Sequence, residues 1–269
     1  MSISFLNNKL FAILLTMIAP LTRSVPHYQI HSVQNAKISR PNSPIEKKIE
    51  VSSIDTDLVT YKTTSAFEQY QPSLTVIAIH PTNYGDRYQI DVDGNSLNNL
   101  PIVVLHETTE SVTSAINTFK TPHLDDSNQI SYHTLISLDG TIIYLVPPEK
   151  RAFGAGNSVF ESSSGIETVK TNPNLPSSVN NFAYHVSLET PPDGRGKQYQ
   201  NYHSGYTDSQ YKSLAWLLAQ SSVPDNRITT HKDVDRSHQK IDPRSFDFEK
   251  FLSILHTYRQ PITEKTFAK

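Results

Sequence analysis

Residues 101–109 read Pro-Ile-Val-Val-Leu-His-Glu-Thr-Thr (PIVVLHETT). Ile102 to Leu105 is an apolar, mostly β-branched run bounded by proline and polar residues, which predicts a buried strand that closes on His106. Working outward, Leu74 to His80 (LTVIAIH) has the same character upstream. Downstream, Val112, Ala115, Ile116 and Phe119 fall at helical spacing, with Thr109 as the expected cap. Ser131 to Leu138 and Thr141 to Val146 flank Asp139-Gly140, the pair that a two-residue hairpin prefers. Phe182 to Leu188 alternates like a further strand. Thr207-x-x-Gln210 is a capping box, and Tyr211, Leu214, Ala215 and Leu218 share the face that follows it. Arg227 to Thr230 reads as a short strand leading to His231. Phe248, Phe251, Leu252 and Leu255 form the stripe of a last helix. Strands alternating with helices, plus one hairpin, predict an α/β fold: a mixed central β-sheet with helices packed on it.

The 269 residues include no cysteine, so disulfides, thiolate metal sites and cysteine nucleophiles are excluded. The formal charge of −2 gives no basis for capturing nucleic acid or an anionic membrane. Apolar residues make up 36%, below the usual ~45–50%, so part of the chain is not core-forming. Leu10 to Leu21 is an apolar run of signal-peptide length after Lys9, shorter than the ~20 residues a membrane span needs. Residues 1–24 are therefore read as a signal peptide, with an uncleaved N-terminal anchor or a buried helix as the alternatives. Residues 25–71 are polar and aperiodic and are read as a linker or loosely attached arm. Residues 72–260 are read as one domain.

His106 and His231 each close a strand, and Asp242 follows in Lys240-Ile241-Asp242-Pro243. Two imidazoles and a carboxylate are a normal three-ligand set for zinc. Alone, each histidine reads first as an ordinary surface or capping residue.

Taken in order, LHETT, ISYHTLISLDGTIIYLVPPEKRAFGAG, YTDSQYKSLAWLLA and ITTHKDVDRSHQKIDPRSFDF resemble the zinc-dependent N-acetylmuramoyl-L-alanine amidases of the type-2 amidase and peptidoglycan-recognition-protein fold. The resemblance runs from near Pro101 to near Phe251. It implies that His106, His231 and Asp242 bind Zn2+. It also implies that Lys240, in the K-x-D-P segment, stabilises negative charge on the reacting carbonyl. Tyr132 matches the tyrosine that phage-type members place beside the metal. Two departures stand out. Many members carry a glutamate base in a strand reading I-G-I-E, where this chain has Tyr184-His185-Val186-Ser187. Glu189 is the expected substitute, because a regular strand would put it on the face of Ser187. The family's A-W-H-A-G segment is Ala152-Phe153-Gly154-Ala155-Gly156 here.

The resemblance implies a secreted amidase that hydrolyses the bond between N-acetylmuramic acid and L-alanine in peptidoglycan or muropeptides. Such a protein would be exported, periplasmic or attached to the cell wall, and is read as a monomer. Tyr132, Glu189 and a neighbouring histidine are the candidates for protonating the leaving amine. A non-catalytic peptidoglycan-binding module on the same fold is the second reading. A zinc hydrolase of another amide, or a structural wall protein, is the third. His133 reads as packing, His185 as packing or hydrogen-bonding locally, His203 as part of the approach to a helix, and His238 as a rival ligand. Trp216 reads as half-buried. His80 and Asn83 to Arg87 precede the matched segments and read as a family-specific extension near the groove, with no mechanism attached.

Overall fold

The computed structural model describes residues 60–197 and 199–262. The apolar run at Leu10 to Leu21 and most of the predicted arm lie outside the described residues. In chain order the elements are β1 (Tyr61–Thr63), α1 (Ser65–Gln69), β2 (Leu74–Val76), β3 (Tyr84–Asp86), β4 (Ile102–Glu107) and α2 (Val112–Lys120). They continue with β5 (Thr134–Ile136), β6 (Ile142–Tyr144), β7 (Lys150–Ala152), β8 (Phe160–Ser162), β9 (Gly165–Glu167) and β10 (Ala183–Leu188). The last are α3 (Asp208–Ala219), β11 (Ile228–Thr230), α4 (His231–Val234), α5 (Phe248–Tyr258) and β12 (Arg259–Pro261).

Six strands form the central sheet in the order β11-β4-β10-β5-β6-β2. Neighbours from β11 to β5 are parallel, β5 and β6 are antiparallel, and β6 and β2 are parallel. The predicted mixed α/β sheet is thus what forms. Strand β4 is buried along its whole length, which is why its sequence is an unbroken apolar run rather than an alternation.

The two faces of the sheet are covered differently. Val103, Leu105, Val186, Leu188 and Ile136 meet Leu214, Leu217, Leu218, Phe251 and Leu255 from α3 and α5. Each such side chain contributes roughly 1.5–3 kcal/mol on burial. On the other face, Ile102, Val104 and Ala183 pack under Ala155, Phe160 and Val179, and Leu135 and Ile143 pack under Ile116 and Phe119 of α2. The capping box of α3 forms as its sequence predicts: Gln210 N–H donates to Thr207 Oγ1, and Thr207 N–H donates to Gln210 Oε1.

Several local readings change. Helix α2 is capped by Ser111, which accepts from Ser114 N–H at 3.3 Å, rather than by Thr109. Leu74 to His80 yields only the short β2, and its residues are exposed, because it lies at the sheet edge. The hairpin uses three residues, not two. Ser137 pairs with Thr141, and Gly140 takes φ +87, the left-handed position of a three-residue loop. Trp216 is buried rather than half-buried, and stacks on Phe67 of α1 with centroids 5.3 Å apart. Residues 61–69, read from sequence as the end of an arm, form β1 and α1. Strand β1 pairs with β12, and Phe67 enters the core. The short apolar content of this stretch hid a contact made at long range.

Arg259 closes the far end of the domain. Its buried guanidinium donates to the carbonyls of Leu218, Ser221 and Val223 and to Asp225 Oδ1, which satisfies acceptors left open where α3 ends. Among the described residues no helix is long and apolar enough to cross a membrane.

The hairpin tip docks on α3, where Ser213 Oγ donates to Gly140 O at 2.6 Å. A Cβ at Gly140 would lie 2.9 Å from Ser209 Cβ, Ser209 O and Ser213 Oγ. Strain at this backbone angle and overpacking add. Gly140→Ala is expected to lower stability by about 2–4 kcal/mol in urea unfolding; wild-type stability in the variant would contradict this packing.

Candidate functional site

Strands β4 and β11 are parallel neighbours, with Leu105 opposite Thr230. His106 in β4 and His231, which opens α4 directly after β11, therefore emerge at the same edge of the sheet. Carboxyl ends of parallel strands are where open α/β sheets display ligand-binding groups. Asp242 reaches this edge from the loop before α5. Its Oδ1 lies 3.0 Å from His231 Nδ1, and its Oδ2 lies 3.4 Å from His106 Nδ1. One donor atom from each of the three residues falls within 4.8 Å of the others. Among the described residues no other group of three such side chains comes together.

The loop carrying Asp242 is folded around Asp235. That carboxylate accepts from the main-chain N–H groups of Ser237, Gln239 and Lys240 at 2.8–3.1 Å. Lys232 N–H donates to Asp242 O at 2.9 Å. The Lys240 side chain is exposed, and its charge bears on His106. The Tyr132 ring lies 4.5 Å from that of His106 and meets Phe119 edge-on. Burial, reinforced by the charges of Asp242 and Glu107, pushes its hydroxyl well above the usual tyrosine range. Tyr132 is therefore held in its neutral form.

Burial lowers the His106 imidazole to about 4, although Asp242 pulls it the other way. Burial would raise the Asp242 carboxyl, but the two imidazoles overcome this and hold it well below the carboxylate range. At neutral pH the cluster is thus a neutral His106 beside an ionised carboxylate. His106 Nδ1 is buried and makes no hydrogen bond. Two imidazoles, one with an unpartnered ring nitrogen, and a carboxylate are the donor set that suits zinc.

The structure places other candidates elsewhere. Regular pairing of β10 ends at Leu188, and Glu189 N–H still donates to Ile136 O at 2.8 Å. Its Oε1 accepts from Val112 N–H and Arg195, and its Oε2 accepts from Leu138 N–H. Glu189 thus ties α2 to the hairpin and is not brought to the cluster. Ser187 is the register partner of His106, and its buried hydroxyl has no hydrogen-bond partner. His238 is exposed and outside the cluster. The departures at Gly154 and His185 meet in space: the His185 ring lies against Gly154.

Glu107 was not singled out from the sequence. It lies on the opposite sheet face from His106 and accepts from His203 Nε2 at 2.9 Å and Tyr206 Oη at 2.7 Å. It also pairs with Arg244, whose other nitrogens hold the carbonyls of Gly194, Lys197 and Gln200. The network joins the strand of one candidate ligand to the segment of another. Alternation beside His106 was the available signal, since a carboxylate on an apolar face needs partners. Arg87, without a role in the sequence, braces the buried carbonyls of Asn181 and Ala183.

Burial also holds His133 and His185 well below the ordinary histidine range. Below about pH 6.5 the unfolded chain takes up protons that these rings and His106 refuse in the folded state. Stability therefore falls with pH, by up to about 1.4 kcal/mol per pH unit for each ring. In chelator, the urea midpoint is expected to drop steadily from pH 7 to pH 5; a flat profile would contradict the neutral burial of these histidines.

Comparison with known proteins gives the context. A family model described as N-acetylmuramoyl-L-alanine amidase (Amidase_2) matches residues 96–245. The 1,6-anhydro-N-acetylmuramyl-L-alanine amidase AmpD of Citrobacter freundii is 28% identical over 132 residues, 47% of this chain and 58% of that protein. The chain thus spans little more than half the length of this curated relative. Among solved structures, a selenomethionine derivative of AmpD aligns with a TM-score of 0.45 at 22% identity, covering 69% of this chain and 96% of that one. The N-acetylmuramoyl-L-alanine amidase LysC from Clostridium intestinale URNW aligns at 0.42 and 18%, covering 69% and 99%. The family model covers more than half of the sequence and includes all three residues of the cluster, and the chain belongs to the N-acetylmuramoyl-L-alanine amidase family.

Proposed function

We propose that the protein is an exported, zinc-dependent amidase that hydrolyses the bond between N-acetylmuramic acid and L-alanine in peptidoglycan or its fragments. The observation that carries this reading is the convergence of His106, His231 and Asp242 within 4.8 Å, inside the family-matched region. Export rests on the apolar run at Leu10 to Leu21.

His106, His231 and Asp242 would hold the metal, with the unpartnered Nδ1 of His106 as one donor. Zinc bound there would supply Lewis acidity toward a carbonyl and lower the pKa of water toward ~7. The reaction adds water across the amide. Oxygen bonds to the lactyl carbonyl carbon, the carbon–nitrogen bond breaks, and alanine leaves as an amine once its nitrogen gains a proton. Lys240 brings a positive charge to the cluster from the solvent side, suited to the oxyanion that forms on the carbonyl. Tyr132, held neutral beside His106, is suited to donate a hydrogen bond to the same oxygen. A preorganised donor of this kind is worth about 3–4 kcal/mol. Both oxygens of Glu189 are engaged by Val112, Leu138 and Arg195, which supports a structural part for it in place of the catalytic one.

One observation favours the second reading, a protein that binds the wall without cutting it. Ser187 stands where many relatives carry a glutamate, and its hydroxyl has no partner.

The test combines zinc content with cleavage of a muropeptide that carries an N-acetylmuramoyl-L-alanine bond. One zinc per chain and release of free stem peptide are expected, both lost in Asp242→Ala, with wild-type turnover abolished by chelator and restored by zinc. Lys240→Met should keep its zinc and lose about 10²–10³ in kcat. Zinc bound with no stem peptide released would favour the binding module; full turnover in chelator would overturn zinc dependence.

A further inference from the structure

His106 has a partner behind it that the proposed chemistry does not use. Its Nε2 lies 2.9 Å from His185 Nδ1, and both rings are fully buried. In register, His185 sits opposite Val104 and shares a sheet face with Ser187 and His106. The opposite edge of the His106 ring presents Nδ1 toward Asp242, 3.4 Å from Oδ2 and without a hydrogen bond. A neutral imidazole has one N–H and one lone pair. If Nε2 holds the proton, Nδ1 offers the lone pair.

We infer that His185 is a positioning residue for the metal centre: its Nδ1 accepts the Nε2 proton of His106 and keeps His106 Nδ1 aimed at Asp242 and His231. This role rests on the metal-binding reading of the cluster. It belongs to the class of outer partners that fix the tautomer and ring angle of a ligating histidine.

The surroundings of His185 are built to hold that ring in place. Its main-chain N–H donates to His133 Nδ1 at 2.9 Å, and the two rings stack with centroids 5.8 Å apart and planes 12° apart. His133 is held in turn: with Nδ1 accepting, its Nε2 proton goes to Lys150 O at 3.1 Å. On the other side stands Gly154. A Cβ there would lie 2.6 Å from His185 Nδ1 and 2.7 Å from its Cγ, closer than real contacts allow. The glycine at 154 is therefore the space that the imidazole at 185 needs. His185 Nε2, moreover, is buried with no hydrogen-bond partner. A buried polar atom without a partner is costly, so a residue kept for packing alone would be apolar. The nitrogen that does have a partner faces His106.

The experiment measures zinc affinity by competition with a chromophoric chelator, on the full chain, alongside the melting temperature in excess chelator. His185→Leu keeps the bulk and removes the acceptor. Its zinc affinity is expected to fall about 10–100-fold, with metal-free melting near wild type, because the orphaned His185 Nε2 goes as the His106 Nε2 proton loses its acceptor. His185→Asn returns an acceptor close to the position of Nδ1, and should recover most of that loss. Gly154→Ala displaces the ring without touching the cluster, and should weaken zinc binding in the same direction; it carries the test if His185→Leu does not fold. Wild-type zinc affinity in His185→Leu, or in a folded Gly154→Ala, would overturn the positioning role while leaving the metal centre standing. Absence of zinc from the wild-type chain would overturn the metal reading, and the positioning role with it.

Discussion

Desolvating a carboxylate costs several kcal/mol unless fixed partners offset it. Asp242, with a side chain only 16% exposed, is set against His231 at 3.0 Å and His106 at 3.4 Å. Much of the domain follows from placing those three groups together. Parallel pairing of β4 and β11 delivers both histidines to one sheet edge. Asp235 gathers the loop from Ser237 to Lys240 so that Asp242 meets them. A hydrogen bond from Lys232 N–H to Asp242 O fixes the main chain at the contact.

Two polar networks support the cluster from opposite faces of the sheet. Glu107, next in sequence to His106, binds His203, Tyr206 and Arg244. Arg244 lies two residues past Asp242, so this buried group links two of the candidate ligand segments through charge. On the other face His106 leans on His185, His185 on His133, and His133 on Lys150 O. Removing one partner from such a network strands the others in low dielectric, which makes the geometry of the cluster a property of the whole sheet. Glu189 plays a comparable part farther out, joining the start of α2 to the hairpin and Arg195.

The sheet and its principal helices were legible because their signals are local. The apolar run at β4, the capping box at Thr207 and the stripe on α5 each specify an element from neighbouring residues alone. His106, His231 and Asp242 were legible through the segments LHET and THKDV to KIDP, and the structure brings them together. What escaped depends on distant partners. Strand β1 exists because β12 lies beside it. Glu189 looked like a substitute base because alternation alone does not show that Val112, Leu138 and Arg195 engage its carboxylate. His185 read as packing or hydrogen-bonding locally, since nothing near it in sequence shows that Gly154 leaves room for its ring or that His106 lies against its Nδ1. The carboxylate of Glu107 carried a local hint, but Arg244, His203 and Tyr206 had to fold onto it before its role was visible.

Everything proposed for this cluster requires that these two imidazoles and this carboxylate form one zinc site. Zinc K-edge X-ray absorption on the loaded full-length chain tests it most directly. The expected shell has two imidazole nitrogens at about 2.0–2.1 Å together with oxygen, reduced to a single imidazole in His231→Ala. A shell of oxygen alone, or one unchanged in that variant, would contradict it.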